Sequence, residues 1–247
     1  MTGAAHGPRT ALVTGGASGI GREISLAYAR KGWDVLCLYR ASAAEAAGLA
    51  GEIQALGRAC ETTRVDLADA DATAAFAAGL RQRRIDALVN NAGSYVAPKP
   101  FQELTDDDLT VAFRLNVFAP TILCGAVFDG MRQRGFGRIV NISSVAAKYG
   151  GSAVSLHYGQ AKRALEGLTR TLGREGAGVG VLANTVRPGV VDTPFHTKFP
   201  KDMGKRAAMI PAKRLALPGE VAGIVVFLGS EDNSYITREC IAVAGGE

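Results

Sequence analysis

Short runs of consecutive apolar residues alternate along this chain with longer stretches in which apolar positions recur at helical spacing. The runs predict strands near 10–14, 34–39, 59–65, 85–90, 137–143, 180–186 and 239–243. The periodic stretches predict helices near 19–31, 42–56, 69–83, 105–133, 155–175 and 218–229. Several runs are apolar almost throughout, among them Ala87-Leu88-Val89 and Ile139-Val140-Asn141-Ile142. That is the composition of strands covered on both faces. Strand–helix–strand alternation of this kind predicts an α/β fold, a doubly wound parallel sheet of about seven strands with helices on both faces.

The first run, Ala11-Leu12-Val13, leads into Thr14-Gly15-Gly16-Ala17-Ser18-Gly19-Ile20-Gly21, and a helix with apolar Ile24, Leu26, Ala27 and Ala29 follows at once. Residues without side chains let a backbone approach phosphates closely, and the unpaired N–H groups of a helix start face an anion. The spacing of Gly15, Gly19 and Gly21 differs from G-x-G-x-x-G, and tight strand-to-helix turns also use glycine. The other strand ends carry more weight. Ligands of such sheets sit beyond the carboxyl ends of the strands. Tyr39-Arg40 follows the second run, Asp66 the third, Asn90-Asn91-Ala92-Gly93 the fourth, Ser144 the fifth and Pro188-Gly189 the sixth. Together they make one polar, glycine-rich crevice.

Tyr158 and Lys162 share a helix face one turn apart. A tyrosine with a pKa near 10 is a poor acid or base at neutrality, and a nearby ammonium stabilises its phenolate and pulls that value down. The glycine turn, Asn90-Asn91-Ala92-Gly93, Ser143-Ser144 and Tyr158-Gly159-Gln160-Ala161-Lys162 together resemble the short-chain dehydrogenase/reductase family. The resemblance runs from about Arg9 to Gly246 and is greatest to the 3-oxoacyl-(acyl-carrier-protein) reductase branch. It implies a single Rossmann-like catalytic domain over 9–247, a flexible tail over 1–8, a substrate lid over 194–216 and assembly into a tetramer or dimer.

The resemblance also implies roles. Tyr158 would exchange a proton with the substrate oxygen, and Lys162 would lower its pKa and hold the nicotinamide ribose. Ser144 would hydrogen-bond the carbonyl oxygen, with Ser143 the competing candidate. Asn116 would distort its helix and anchor a water that relays protons to the lysine. Gly15, Ser18, Gly19, Ile20 and Gly21 would hold the pyrophosphate. Asn90 would tie strands together, while Asn91, Ala92 and Gly93 would lie beside the adenosine ribose. Asp66 and Leu67 would meet the adenine, although Asp66 reads equally well as a helix cap. Pro188, Gly189, Val191 and Thr193 would run along the nicotinamide amide.

The end of the second strand reads Tyr39-Arg40-Ala41-Ser42, with no acid to accept the adenosine ribose hydroxyls. Arg40 can pair bidentately with a 2′-phosphate and Ser42 can add a hydroxyl, which predicts NADP(H). The alternative is an exposed arginine indifferent to the cofactor.

Bulk properties change little. The net charge is +5, yet no long basic block or aromatic-interleaved basic stripe points to nucleic acid. No run of eighteen apolar residues appears, so no membrane association is expected. Cys37, Cys60, Cys124 and Cys240 are scattered and the three histidines dispersed, which speaks for reduced thiols in the cytoplasm and against a metal site. The lid carries Lys198, Lys201, Lys205, Arg206, Lys213 and Arg214, either a solvated loop or a site for an anionic, carrier-bound substrate. Val179 stands where relatives carry arginine, and Arg238 where they carry glycine near the subunit interface. His157 reads as a packing residue. The expected activity is reduction of a ketone or 3-oxoacyl carbonyl. Oxidation of an alcohol or sugar, and a non-catalytic dinucleotide-binding regulator, are the alternatives.

Overall fold

The computed structural model describes residues 7–96, 98–194 and 202–247. The strands are β1 (Thr10–Thr14), β2 (Asp34–Tyr39), β3 (Cys60–Arg64), β4 (Ala87–Asn90), β5 (Gly137–Ile142), β6 (Val181–Pro188) and β7 (Cys240–Val243). The helices are α1 (Gly19–Arg30), α2 (Ala43–Ala55), α3 (Ala70–Leu80), α4 (Asp106–Phe113), α5 (Ala119–Gln133), α6 (Val145–Tyr149), α7 (Leu156–Ala177), α8 (Met203–Met209) and α9 (Pro218–Leu228). The seven strands form one parallel sheet in the order β3-β2-β1-β4-β5-β6-β7. The order reverses between β1 and β4, and the crevice opens at that point.

Alternate residues of the inner strands bury on opposite faces. Ala11, Val13, Val35 and Cys37 pack under α1, α2 and α9, while Leu12, Leu36, Leu38 and Ile139 pack under α3 and α5. This two-sided burial is why the strands read as continuous apolar runs.

The predicted helix over 105–133 is interrupted. Between α4 and α5 lies a π-helical turn, Arg114–Phe118. Its cause is local: the side-chain amide of Asn116 donates to the Ala112 carbonyl at 2.9 Å, the acceptor an α-helix would give to a backbone N–H. The stretch Asp106–Gln133 is long and apolar enough to cross a bilayer by length and composition. It is nevertheless a core element here, with Leu123, Cys124, Val127 and Met131 of α5 buried against the sheet.

Two expectations change. Asp66 is not the cap of α3; Asp69 is, accepting from the N–H groups of Asp71 and Ala72, while Asp66 closes a turn onto Ala68 N–H. Helices α6 and α8 are additional, each too short to show a period. The expected tail over 1–8 and lid over 194–216 lie partly outside the described residues, as do Lys198 and Lys201.

Candidate active site

At the switch point, the ends of β1 and β4 are knotted together. Thr14 Oγ1 accepts from the N–H groups of Asn91 and Ala92 at 3.0 and 2.9 Å, and the Asn91 amide donates to the Thr14 and Gly15 carbonyls at 2.9 and 3.3 Å. The Asn91 side chain therefore braces the turn. Gly15 takes φ +61°, in the left-handed region that favours glycine. A Cβ on Gly21 would lie 2.2 Å from the Gly15 carbonyl oxygen, so α1 starts directly against the turn. Ser18, exposed at the N-cap of α1, makes no side-chain capping bond. The first-turn N–H groups thus open outward beside a free hydroxyl, as a pyrophosphate requires. Thr193 closes the other side, packing 3.5 Å from where a Cβ of Gly19 would sit.

The chemistry-bearing side chains meet beyond β5. Ser144 caps α6, accepting from Ala146 N–H at 3.1 Å, and its hydroxyl lies close enough to the Tyr158 phenol to work toward a lower phenol pKa. Ser143 is turned away: its buried hydroxyl donates to Glu166 at 2.8 Å. The geometry thus separates the two serines, and Ser144 alone faces Tyr158. Lys162, buried one turn along α7, donates from Nζ to the Ile142 carbonyl at 2.9 Å and lies 5.6 Å from the Tyr158 ring centroid. A Cβ on Gly93 would come within 2.7 Å of Lys162 Nζ and 2.8 Å of Asn116 Oδ1. The absence of a side chain at Gly93 therefore leaves room for this lysine–asparagine pair. Asn116 Oδ1 is buried and has no hydrogen-bond partner among the described residues, aimed at the same point.

Burial governs the titration of this group. It pushes the Lys162 ammonium down to about 7. Burial first, and then the neighbouring Tyr95 phenol, hold Tyr158 above the ordinary phenol range, with the Ser144 hydrogen bond working against them. The Lys162 amine is engaged with the Ile142 carbonyl, and desolvation dominates at the phenol.

The family model described as short chain dehydrogenase matches residues 9–204. The chain belongs to the short-chain dehydrogenase family. The chain is 34% identical to an acetoacetyl-CoA reductase of Allochromatium vinosum over 96% of its own length and 98% of the relative's. It is likewise 34% identical to the 3-oxoacyl-[acyl-carrier-protein] reductase FabG of Vibrio harveyi, over 96% of each chain. Among solved structures, one from Beutenbergia cavernae superposes with a TM-score of 0.90 at 39% identity over 96% of each chain. That protein is provisionally described as an NAD(P) dependent gluconate 5-dehydrogenase, with bound NADP.

Elsewhere in the chain, Arg40 is exposed beyond β2 and Ser42, at the N-cap of α2, makes no side-chain capping bond. Arg64, at the end of β3, donates from Nε to the Arg40 carbonyl at 3.0 Å, which fixes the backbone of that corner. Leu67 is buried and Asp66 exposed at the neighbouring strand end. Asn90 donates to Asn141 at 2.8 Å, joining β4 to β5. After β6, Gly189 N–H bonds to the Val243 carbonyl, and Val191 pairs with Ala216, which straps the Pro188–Thr193 loop across the sheet end. His157 is fully buried and hydrogen-bonds the Val96 carbonyl through Nε2.

Three cations in the described part of the lid are engaged with the rest of the chain. Arg206 pairs with Glu247, Arg214 with Glu220 at 2.7 Å, and Lys213 donates to the Ala208 carbonyl at 2.9 Å. Among the described residues no group of His, Cys, Asp or Glu is arranged for a metal. Two residues of the site escaped the sequence reading. Tyr95 stacks on Tyr158 with ring centroids 4.5 Å apart, and no motif marks it. Glu166 lies behind Ser143; its signal was its place one helical turn after Lys162.

Proposed function

We propose that the protein is an NADP(H)-dependent oxidoreductase that reduces a ketone or 3-oxoacyl carbonyl to a secondary alcohol, with Tyr158 as general acid. The observation that carries this reading is the junction of Ser144, Tyr158 and Lys162 beside the glycine turn, with the Ser144 hydroxyl beside the Tyr158 phenol. Both hydroxyls can face a single carbonyl oxygen: Ser144 donates to it and stabilises developing charge, while Tyr158 delivers the proton. NADP(H), when bound, supplies the hydride. The first turn of α1, with Ser18 and Gly19 to Gly21, would hold its pyrophosphate. Asp66 and Leu67 would flank the adenine, and Val191 and Thr193 the amide. Lys162 and Asn116 Oδ1 converge where a water would link them, and the unpartnered oxygen supports such a relay.

The test is loss of NADPH absorbance with a panel of ketones and 3-oxoacyl thioesters, with NADH as control. Turnover of none of them, alongside turnover of alcohols or sugars with NADP⁺, would replace reduction by the oxidative reading. The name carried by the Beutenbergia cavernae relative favours that second reading.

Arg40 and Ser42 would hold the 2′-phosphate. Arg40→Ala is expected to weaken NADPH binding about ten- to a hundredfold and leave NADH binding unchanged, the loss of a charge-assisted contact. Fluorescence titration with both nucleotides measures it; an equal loss for both would remove Arg40 from the 2′-phosphate site.

The same proposal places the enzyme in the cytoplasm as a homo-oligomer. Val111, Phe118 and Ile122 are exposed to 37%, 48% and 40% at helical spacing along α4–α5, an apolar stripe suited to a second copy. Light scattering should show a dimer or tetramer in the parent and smaller species for Phe118→Glu. A monomeric parent would refute assembly.

A further inference from the structure

A separate cavity of about 490 Å³ opens beside the β6–β7 edge, lined by Arg170, Arg187, Thr237, Arg238, Glu239 and Cys240. No residue assigned above to the dinucleotide or to proton transfer lines it. We propose that this cavity is a binding site for a small phosphate-bearing anion, gripped by Arg170 and Arg238.

Charge is the first argument. Arg187 is committed to Glu166, with Nε and Nη2 each 2.6 Å from a carboxylate oxygen. Arg170 and Arg238 make no ion pair and no side-chain hydrogen bond among the described residues. Glu239, also on the wall, offsets only one of them. A positive excess remains, carried by guanidiniums with their donors unspent.

The second argument is how Arg238 is held. Its φ is 67°, a left-handed conformation that costs a side-chain-bearing residue about 1–2 kcal/mol and glycine almost nothing. The surrounding bonds leave it no alternative. Arg238 N–H donates to the Ala183 carbonyl at 2.7 Å, and the Asn184 side chain bonds both the Ile236 carbonyl and Glu239 N–H. Helix α7 also makes room for it. A Cβ on Gly173 would fall 2.5 Å from Arg238 Cγ, so the arginine stem crosses α7 over a glycine in the helix interior. That glycine itself costs about 0.5–1 kcal/mol relative to alanine. Arg170, three residues earlier on the same helix, lies on the same face. Two positions thus carry locally unfavourable residues, and their joint effect is to run the Arg238 stem across α7 at Gly173, so that Arg238 and Arg170 line the same cavity.

The third argument is chemical fit. Guanidinium forks match tetrahedral oxyanions bidentately, and two of them suit a dianion better than a single carboxylate. The volume exceeds that of a bare ion and falls within the range of small-molecule sites, which admits a phosphate monoester.

The experiment is calorimetric titration of the NADPH-saturated enzyme with inorganic phosphate and with glycerol phosphate, at constant ionic strength against chloride. Saturation with NADPH fills the cofactor's own phosphate sites. One phosphate site per chain is expected in the parent, with affinity at least about tenfold weaker in Arg238→Gly and in Arg170→Ala. Glycine takes the left-handed turn without strain, so Arg238→Gly should fold and melt no lower than the parent. Absence of phosphate binding in the parent, or binding unchanged in Arg238→Gly, would overturn the proposal. So would a change confined to oligomeric state by light scattering, which would make the cavity a contact between copies.

Discussion

Tyr158→Phe is expected to lower carbonyl turnover by about a hundred- to ten-thousandfold while leaving NADPH affinity within a few-fold of the parent, the scale of a lost positioned general acid. The substitution removes one hydroxyl and keeps the ring. The stack on Tyr95 at 4.5 Å and the approach of Lys162 to the ring at 5.6 Å both survive. Fold and cofactor site should be untouched, so the loss falls on kcat rather than on nucleotide binding. Ser144→Ala removes the other hydroxyl facing the same point and should also act on kcat, by a smaller factor. Steady-state kinetics with NADPH titration measures both. Parent-like kcat in Tyr158→Phe would show that another group donates the proton.

The largest expected loss of stability comes from a residue outside the proton-transfer group. Glu166 is 3% exposed and receives both Arg187 bonds at 2.6 Å and the Ser143 hydroxyl at 2.8 Å. Glu166→Ala strands the Arg187 guanidinium and frees Ser143, a change that costs about 3–5 kcal/mol. For a chain of this size that is a fall in Tm of about 6–20 °C. The effect depends on pH. Burial pushes the Glu166 carboxyl up, but the Arg187 and Ser143 hydrogen bonds outweigh it and leave the pKa below the usual carboxylate range. A carboxylate held low in the folded state contributes in full above its unfolded pKa of about 4.3, and that contribution is lost as pH falls through the folded value. The gap in Tm between parent and variant should therefore be widest near neutrality and narrow in acid below about pH 4.3. Thermal melts across pH read it directly. A neutral-pH Tm within about 2 °C of the parent would show that the ion pair contributes little.

Most of the strand–helix order was legible because a parallel sheet buried on both faces leaves an unambiguous trace of apolar runs. The ends of β1 and β2 coincide with the predicted 10–14 and 34–39. The crevice was legible for a related reason: the topology gathers strand ends, so polar residues after successive strands must converge. The interruption of 105–133 was hidden from the apolar pattern, which Leu115, Val117 and Phe118 continue through the π turn; only the family resemblance, through Asn116, implied a distorted helix there. Tyr95 and the Arg187–Glu166 pair were hidden because their partners come from different elements, brought together only by packing. The anchoring of Lys162 was hidden for the same reason: a sequence shows that a lysine is one turn from Tyr158, but not that its amine is bound to the Ile142 carbonyl.

The π turn at Arg114–Phe118 has a consequence for chain length. It stores one residue more than an α-helical path between α4 and α5 would use. Deleting a single residue there would let the segment relax into unbroken α-helix with α4 and α5 kept in register with each other, because the turn holds just the one residue that is lost. Asn116 Oδ1 would swing away from Gly93 and Lys162, while the apolar face of α5 stayed in register with the sheet. A one-residue frame is thus part of the active site's architecture, and a length change that the core tolerates would still dismantle the meeting of asparagine and lysine.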